Sequence, residues 1–169
     1  MDGLTTATLC LVGATLALVG VTIWLVVETK NAAKRQLQVQ TWLEMAKRFD
    51  SQEMKRARRD LAKKIQTYSA DNHDKISETV MDFFEDVGTL WKRDYIDKKL
   101  VEETFGFYGS RWWAAVQPYV SNERRKHKDD DTIFADIEFL AKKIRLPHEQ
   151  IDDVELKQFL NDEARLVVD

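Results

Sequence analysis

Leu4 to Val27 reads LTTATLCLVGATLALVGVTIWLVV, 24 residues without a charge. A helix needs about 20 apolar residues to cross a bilayer core. At ~1.5 Å per residue this run reaches roughly 36 Å. Lipid offers no partner to a bare peptide group, so a single span has to be helical. After Val27 the pattern changes but does not break. Ala32, Ala33, Leu37, Trp42, Met45, Ala46 and Phe49 keep a helical apolar side among charged neighbours, which predicts one helix as far as Phe49. Asp50-Ser51-Gln52-Glu53 resembles a capping box and opens a second helix over roughly 51–68. Its Met54, Ala57, Leu61, Ile65 and Tyr68 recur at steps of three and four.

Past the polar connector at 71–74, Ile76, Val80, Phe83, Phe84, Val87, Leu90 and Trp91 predict a third helix over 75–93. Gly88 falls on its buried side, where it admits a close neighbour. A short helix is expected over 98–105. A fifth carries Phe107, Tyr108, Trp112, Ala115, Val116 and Tyr119 and should bend near Ala114, because Pro118 interrupts its ladder. Asp129-Asp130-Asp131 is expected to cap a sixth helix over 133–145, stopped by Leu146-Pro147. A last helix over 148–160 then precedes an end at 161–169 that is expected to fray or to serve as a short peptide.

Composition fits this reading. Two prolines and six glycines in 169 residues are few breakers, and a third of the chain is charged. The fold class predicted is all-α: a single N-terminal transmembrane helix continuing into a cytosolic helical bundle. Three segments are expected: an anchor over 1–29, a basic juxtamembrane helical hairpin over 30–70, and an acidic, aromatic-rich bundle over 71–169. Cys10 is the only cysteine, so no intrachain disulfide can form.

The net charge of −3 conceals a division. Residues 30–64 hold eleven basic and four acidic side chains, net +7. Residues 71–169 hold fifteen basic and twenty-three acidic, net −8. No Lys or Arg precedes the apolar run, whereas Lys30, Lys34, Arg35, Lys47 and Arg48 follow it. Basic residues mark the cytosolic flank of a span, which predicts an outside amino terminus and a cytosolic body. A cleaved signal peptide would show a basic flank before an apolar run of about 7–15 residues, and neither is present.

Leu4 and Val27 bound the span, and Trp24 near its end can sit among headgroups. Gly13, Ala17 and Gly20 share one side, with Thr8, Thr15 and Thr22 spaced seven apart. Small residues let backbones meet in lipid, so self-association there is one reading; their ordinary abundance in spans is the other. On the second helix, Lys55, Arg56, Arg58, Arg59, Lys63 and Lys64 are candidate contacts for anionic lipid. The competing reading is a solvated face that pairs with the acidic carboxyl half. Nucleic acid is not an expected partner, since the remainder is acidic and no recognition motif accompanies the cluster.

Little here points to catalysis. Glu85, Asp86, Glu102 and Glu103 are paired carboxylates near aromatic residues, where burial could raise a pKa. The simpler reading pairs Glu85 or Asp86 with Arg93, Arg111 or Arg124. His73, His127 and His148 lack metal-ligand spacing, and no phosphate loop or nucleophile elbow is present. No catalytic residue, cofactor or metal is expected. Trp112 and Trp113 are adjacent and cannot face the same way on a helix. One is expected in the core, the other on the surface as an anchor for a protein partner. Residues 129–169, net −7, favour basic partners.

A set of segments carries a family likeness. It runs from Arg48-Phe49-Asp50-Ser51 and Arg58-Arg59-Asp60-Leu61 to Phe83-Phe84-Glu85-Asp86-Val87-Gly88-Thr89-Leu90. Phe105-Gly106, Arg111-Trp112-Trp113, Pro118-Tyr119-Val120, Arg124-Arg125 and Phe134-Ala135-Asp136-Ile137-Glu138-Phe139-Leu140 complete it. Over roughly 30–143 the chain resembles the domain of unknown function 4760 family, small bacterial and phage-type proteins. The resemblance implies a membrane-anchored α-helical module of the bacterial inner membrane with no assigned activity, and it transfers no catalytic residue. The function expected is a non-enzymatic interaction or scaffold module whose partners are the lipid bilayer, another protein and a second copy of itself. The alternative is a membrane-active toxin or defence effector that oligomerises through its span. A hydrolase using Glu85 or Glu102 is disfavoured.

Overall fold

The computed structural model describes residues 2–69, 76–144 and 151–168. These form six helices: α1 (Asp2–Phe49), α2 (Gln52–Gln66), α3 (Thr79–Lys92), α4 (Lys98–Lys126), α5 (Ala135–Ile144) and α6 (Asp153–Ala164). No strand occurs among the described residues. The chain divides into two units, Met1–Leu37 and Gln38–Asp169.

The first unit is helical throughout its described length, and every side chain from Gly13 to Leu37 is exposed. A Cβ added at Gly13 or Gly20 would meet nothing within 4 Å. The hydroxyls of Thr15, Thr22 and Thr29 donate to the carbonyls of Leu11, Leu18 and Leu25 at 2.8, 2.8 and 2.9 Å. The helix thus satisfies these polar side chains from its own backbone.

In the second unit Phe49, the last residue of α1, is an aromatic hub. Its ring centroid lies 4.9 Å from Tyr108, 5.3 Å from Phe83, 5.6 Å from Phe105 and 6.0 Å from Phe84. Two polar ties fix the preceding turns: the Gln38 amide donates to the Asp94 carbonyl at 3.1 Å, and the Trp42 indole donates to Thr104 at 3.0 Å. Ser51 is the cap of α2, accepting from the Met54 N–H at 3.1 Å. α3 packs on α5, α4 on α5, and α2 on both α6 and α3. Around the hub, Val80, Phe83, Phe84, Val87, Val101, Phe105, Trp112, Ile137 and Leu140 are buried.

Three expectations need correction. The short helix and the fifth helix are one element, α4, capped at Asp97, whose carboxylate accepts from the Leu100 N–H at 3.0 Å. The helix runs through Gly106; a helical glycine costs only about 1 kcal/mol against alanine, and buried Val101, Phe105, Trp112 and Val116 anchor the helix before and after it. α4 also runs through Pro118 to Lys126. The aspartate triplet does not cap the sixth helix. Asp130 instead accepts from the N–H and hydroxyl of Thr132, at 2.9 and 2.7 Å, and closes a turn ahead of α5. The last helix extends beyond Leu160 to Ala164 and buries Glu163, so residues 161–164 are not frayed. The connector at 71–74, Leu146-Pro147, His73 and His148 lie outside the described residues.

Candidate functional site

In the first unit, Leu16, Leu18, Ile23 and Trp24 are each at least 60% exposed. The helix is long and apolar enough to cross a membrane: its apolar window has a mean hydropathy of 1.4, and none of that window is buried. A soluble domain rarely exposes a contiguous apolar patch beyond a few hundred Å². The described side chains of the span sites, Gly13, Ala17, Gly20, Trp24 and Val27, are all exposed. Leu4 lies within α1.

On α2, Arg56, Lys63 and Lys64 are exposed, and Lys55 and Arg59 are half-buried. Arg58 departs from the face that charge alone assigned to it. It is buried, and its Nε and Nη2 donate to the two carboxylate oxygens of Glu163 at 2.7 and 2.6 Å. Its guanidinium carbon sits 4.2 Å from the Phe49 ring centroid and 4.9 Å from that of Tyr108. A bidentate pair between aromatic faces is the arrangement that makes a buried arginine tolerable. The spacing carried the clue: 54, 58, 61 and 65 are one helical stripe, so Arg58 stands on the apolar side. Glu163 likewise follows Phe159 and Leu160 at helical steps.

This ion pair walls a cleft of about 670 Å³ between α4 and α6. A second pair, Arg111 with Glu155, stands beside it, and the Arg111 guanidinium lies 3.7 Å from the Phe107 ring centroid. Phe107, Tyr108 and Phe159 supply the apolar lining, and Asp152 and Asp162 add charge at the wall. Both lining guanidinia have a carboxylate and an aromatic face as partners. A smaller cavity of about 300 Å³ lies between α4 and α5, lined by Trp113, Gln117, Glu138 and Lys142 among others.

The α3 and α5 motif segments interlock. Glu85 accepts from the Ile137 N–H at 2.6 Å, at the amino end of α5, which a carboxylate stabilises. Burial raises the Glu85 carboxyl above its ordinary value, and the Ile137 N–H opposes that shift. Thr89 and Lys92 both donate to Asp136. Burial pushes Asp136 upward, but those two bonds together with the charges of Lys92 and Arg93 outweigh it and hold the carboxyl below its usual range. Gly88 lies directly beneath: a Cβ there would stand 2.8 Å from the Asp136 carbonyl carbon. Arg124 donates to the Ile133 carbonyl at 2.9 Å and pairs with Glu138 at 2.8 Å. It thereby braces Phe134, whose φ of 53° is strained for an aromatic residue. The segment Phe83–Leu90 is therefore one half of a joint whose other half is Phe134–Leu140. The partners differ from those expected: Glu85 meets a backbone amide, and Asp86 pairs with Arg48 at 2.7 Å rather than with Arg93, Arg111 or Arg124.

Trp112 is fully buried and therefore not an exposed anchor; its ring stands edge-on to Phe159 at 5.2 Å. Trp113 is half-buried and lines the smaller cavity. Glu102 and Glu103 are exposed, and neither lines either cavity. His127 is the C-cap of α4. No cluster of metal-ligating side chains occurs among the described residues. In sequence comparison, the profile of a family described as a domain of unknown function (DUF4760) matches residues 8–144. No curated protein and no solved structure matches the chain.

Proposed function

The chain belongs to the DUF4760 family, and from that premise we propose that it is a membrane-anchored, non-enzymatic interaction module. The observation that carries this reading is the first unit, where an apolar helix long enough to span a bilayer keeps every side chain from Gly13 to Leu37 exposed. A core helix of a soluble protein would bury one side. The basic residues that follow Val27 support an orientation with the amino terminus outside and the body in the cytosol of a bacterial cell. Lys55, Arg56, Arg59, Lys63 and Lys64 are offered to anionic headgroups, each worth about 1 kcal/mol near such a surface. The body then recruits a protein. The cleft beside α6 and the net charge of −7 over residues 129–169 favour a basic segment with an apolar anchor.

Fractionation tests the anchoring. Full-length protein should remain with membranes through an alkaline carbonate wash and ultracentrifugation, and leave them only in detergent. A reporter fused after Asp169 should be active only in the cytosol. Recovery of unaggregated protein in the supernatant would refute the anchor, and reporter activity confined to the outside would reverse the orientation.

A further inference from the structure

Along α1, Leu11, Leu18, Leu25 and Ala32 repeat every seven residues, and Thr15, Thr22, Thr29 and Gln36 do the same four positions later. Interleaved, they step by four and three, which is the a/d spacing of a coiled coil: the leucines are at d and the threonines at a. In the sequence the repeat runs on through Val39 and Leu43. All these side chains are exposed.

Inside a bilayer, exposed leucine proves nothing, because lipid covers it as well as a helix does. The charged stretch is the informative one. Seven charged residues occur between Glu28 and Arg48, and none falls on this line. Val39 and Leu43, which do, are 44% and 53% exposed in the second unit. An uncharged line kept through charged sequence, at a period of 3.5, calls for another helix running beside it.

Residue type narrows the occupant. β-branched residues at a with leucine at d favour two parallel strands. The threonine hydroxyls are spent on their own helix, so Thr15, Thr22 and Thr29 meet a neighbour much as valine would. Gln36 is the polar amide on the line. In a parallel self-pairing it faces its own copy, where each amide can donate and accept, and such a residue fixes register. From Leu11 to Leu43 the line is about 50 Å long. A contact strip ~10 Å wide over that length buries on the order of 1,000 Å² across two copies, the size a specific interface requires.

We propose that two copies of this chain pair in parallel along the Leu11–Leu43 line. The surface used lies on roughly the opposite side of the helix from Gly13, Ala17 and Gly20, at 100° per residue. The parallel sense rests on the anchoring reading, since chains inserted with one topology run the same way.

Cysteine crosslinking in membranes tests it. In full-length protein carrying Cys10→Ser, single cysteines are placed on the line (Thr29→Cys, Ala32→Cys, Gln36→Cys) and off it (Lys30→Cys, Lys34→Cys, Gly13→Cys). Oxidation with copper phenanthroline should give disulfide dimer at least fivefold more abundant at the line positions, because a disulfide needs Cα atoms within about 7 Å. Uniform yield, no dimer, or a maximum at Gly13→Cys would overturn the pairing while the protein stays in the membrane. A soluble chain would instead overturn the anchoring, and the parallel pairing with it.

Discussion

The two units satisfy their polar groups by opposite means. In the first, Thr15, Thr22 and Thr29 bond to carbonyls four residues back in their own helix. In the second, the bonds reach far along the chain: Arg58 meets Glu163, Lys92 meets Asp136 and Arg111 meets Glu155. The difference shows what each unit depends on. A helix satisfied from within asks only for surroundings that tolerate its apolar side chains. A bundle tied by distant pairs depends on each partner staying, because removing one leaves a buried group unmatched.

The largest expected effect breaks the tightest of those ties. Arg58→Met strands the Glu163 carboxylate in a buried position and should cost about 3–5 kcal/mol, read by chemical denaturation of the full chain in detergent. Combining it with Glu163→Leu should recover most of that loss. Equal instability of the single and double variants would show that the pair is not the tie.

A smaller effect separates two glycines. Gly88→Ala sets a Cβ against the Asp136 backbone and should cost about 1–3 kcal/mol. Gly20→Ala meets nothing within 4 Å, so the unfolding midpoint of the body should not move. A similar loss from both would erase the contrast between the units.

Smaller again is the pH response of the α3–α5 joint. Asp136 titrates below its ordinary 3.8. As pH falls, the unfolded chain takes the proton first, so the stability Asp136 contributes is present above 3.8 and lost as pH falls through the folded value. Asp136→Asn should flatten that acid limb. Glu85 runs the other way. Its carboxyl is raised from 4.5, so its contribution is full below 4.5 and declines as pH rises through the folded value. Glu85→Gln keeps an acceptor for the Ile137 N–H and should remove the decline. Unchanged pH profiles in both variants would sever the joint from the titration.

The smallest effect belongs to the first unit. Thr22→Val removes a hydroxyl that only its own helix uses, and the midpoint of the body should stay within about 0.5 kcal/mol.

The same contrast explains what could be read from the sequence. Features set by near neighbours were legible: the continuity of α1 to Phe49, a helix start at Ser51, and the apolar face of α3 with Gly88 on it. Features set by distant partners were not. Glu85 could be recognised as a structural carboxylate, but nothing near it names the Ile137 amide 52 residues away. Arg58 was grouped with its charged neighbours although its spacing put it on the apolar stripe, and Glu163 fell in a segment expected to fray. Two helices were expected on either side of 105–107 because the local pattern does not show the packing that holds α4 together. The cleft beside α6 was invisible for the same reason: its walls come from α2, α4 and α6, which meet only in the folded chain.

Trp112 gives the interior an optical gauge. Its indole N–H is sealed away with no hydrogen-bond partner among the described residues, an uncommon state for a buried donor. Its emission should lie at the blue edge for an indole and resist aqueous quenchers until the fold opens. Trp24, 63% exposed, answers instead to the medium around the first unit. One chain thus carries native chromophores for both environments, and with Trp42, Trp91 and Trp113 replaced by phenylalanine, insertion and unfolding can be followed without attaching a dye.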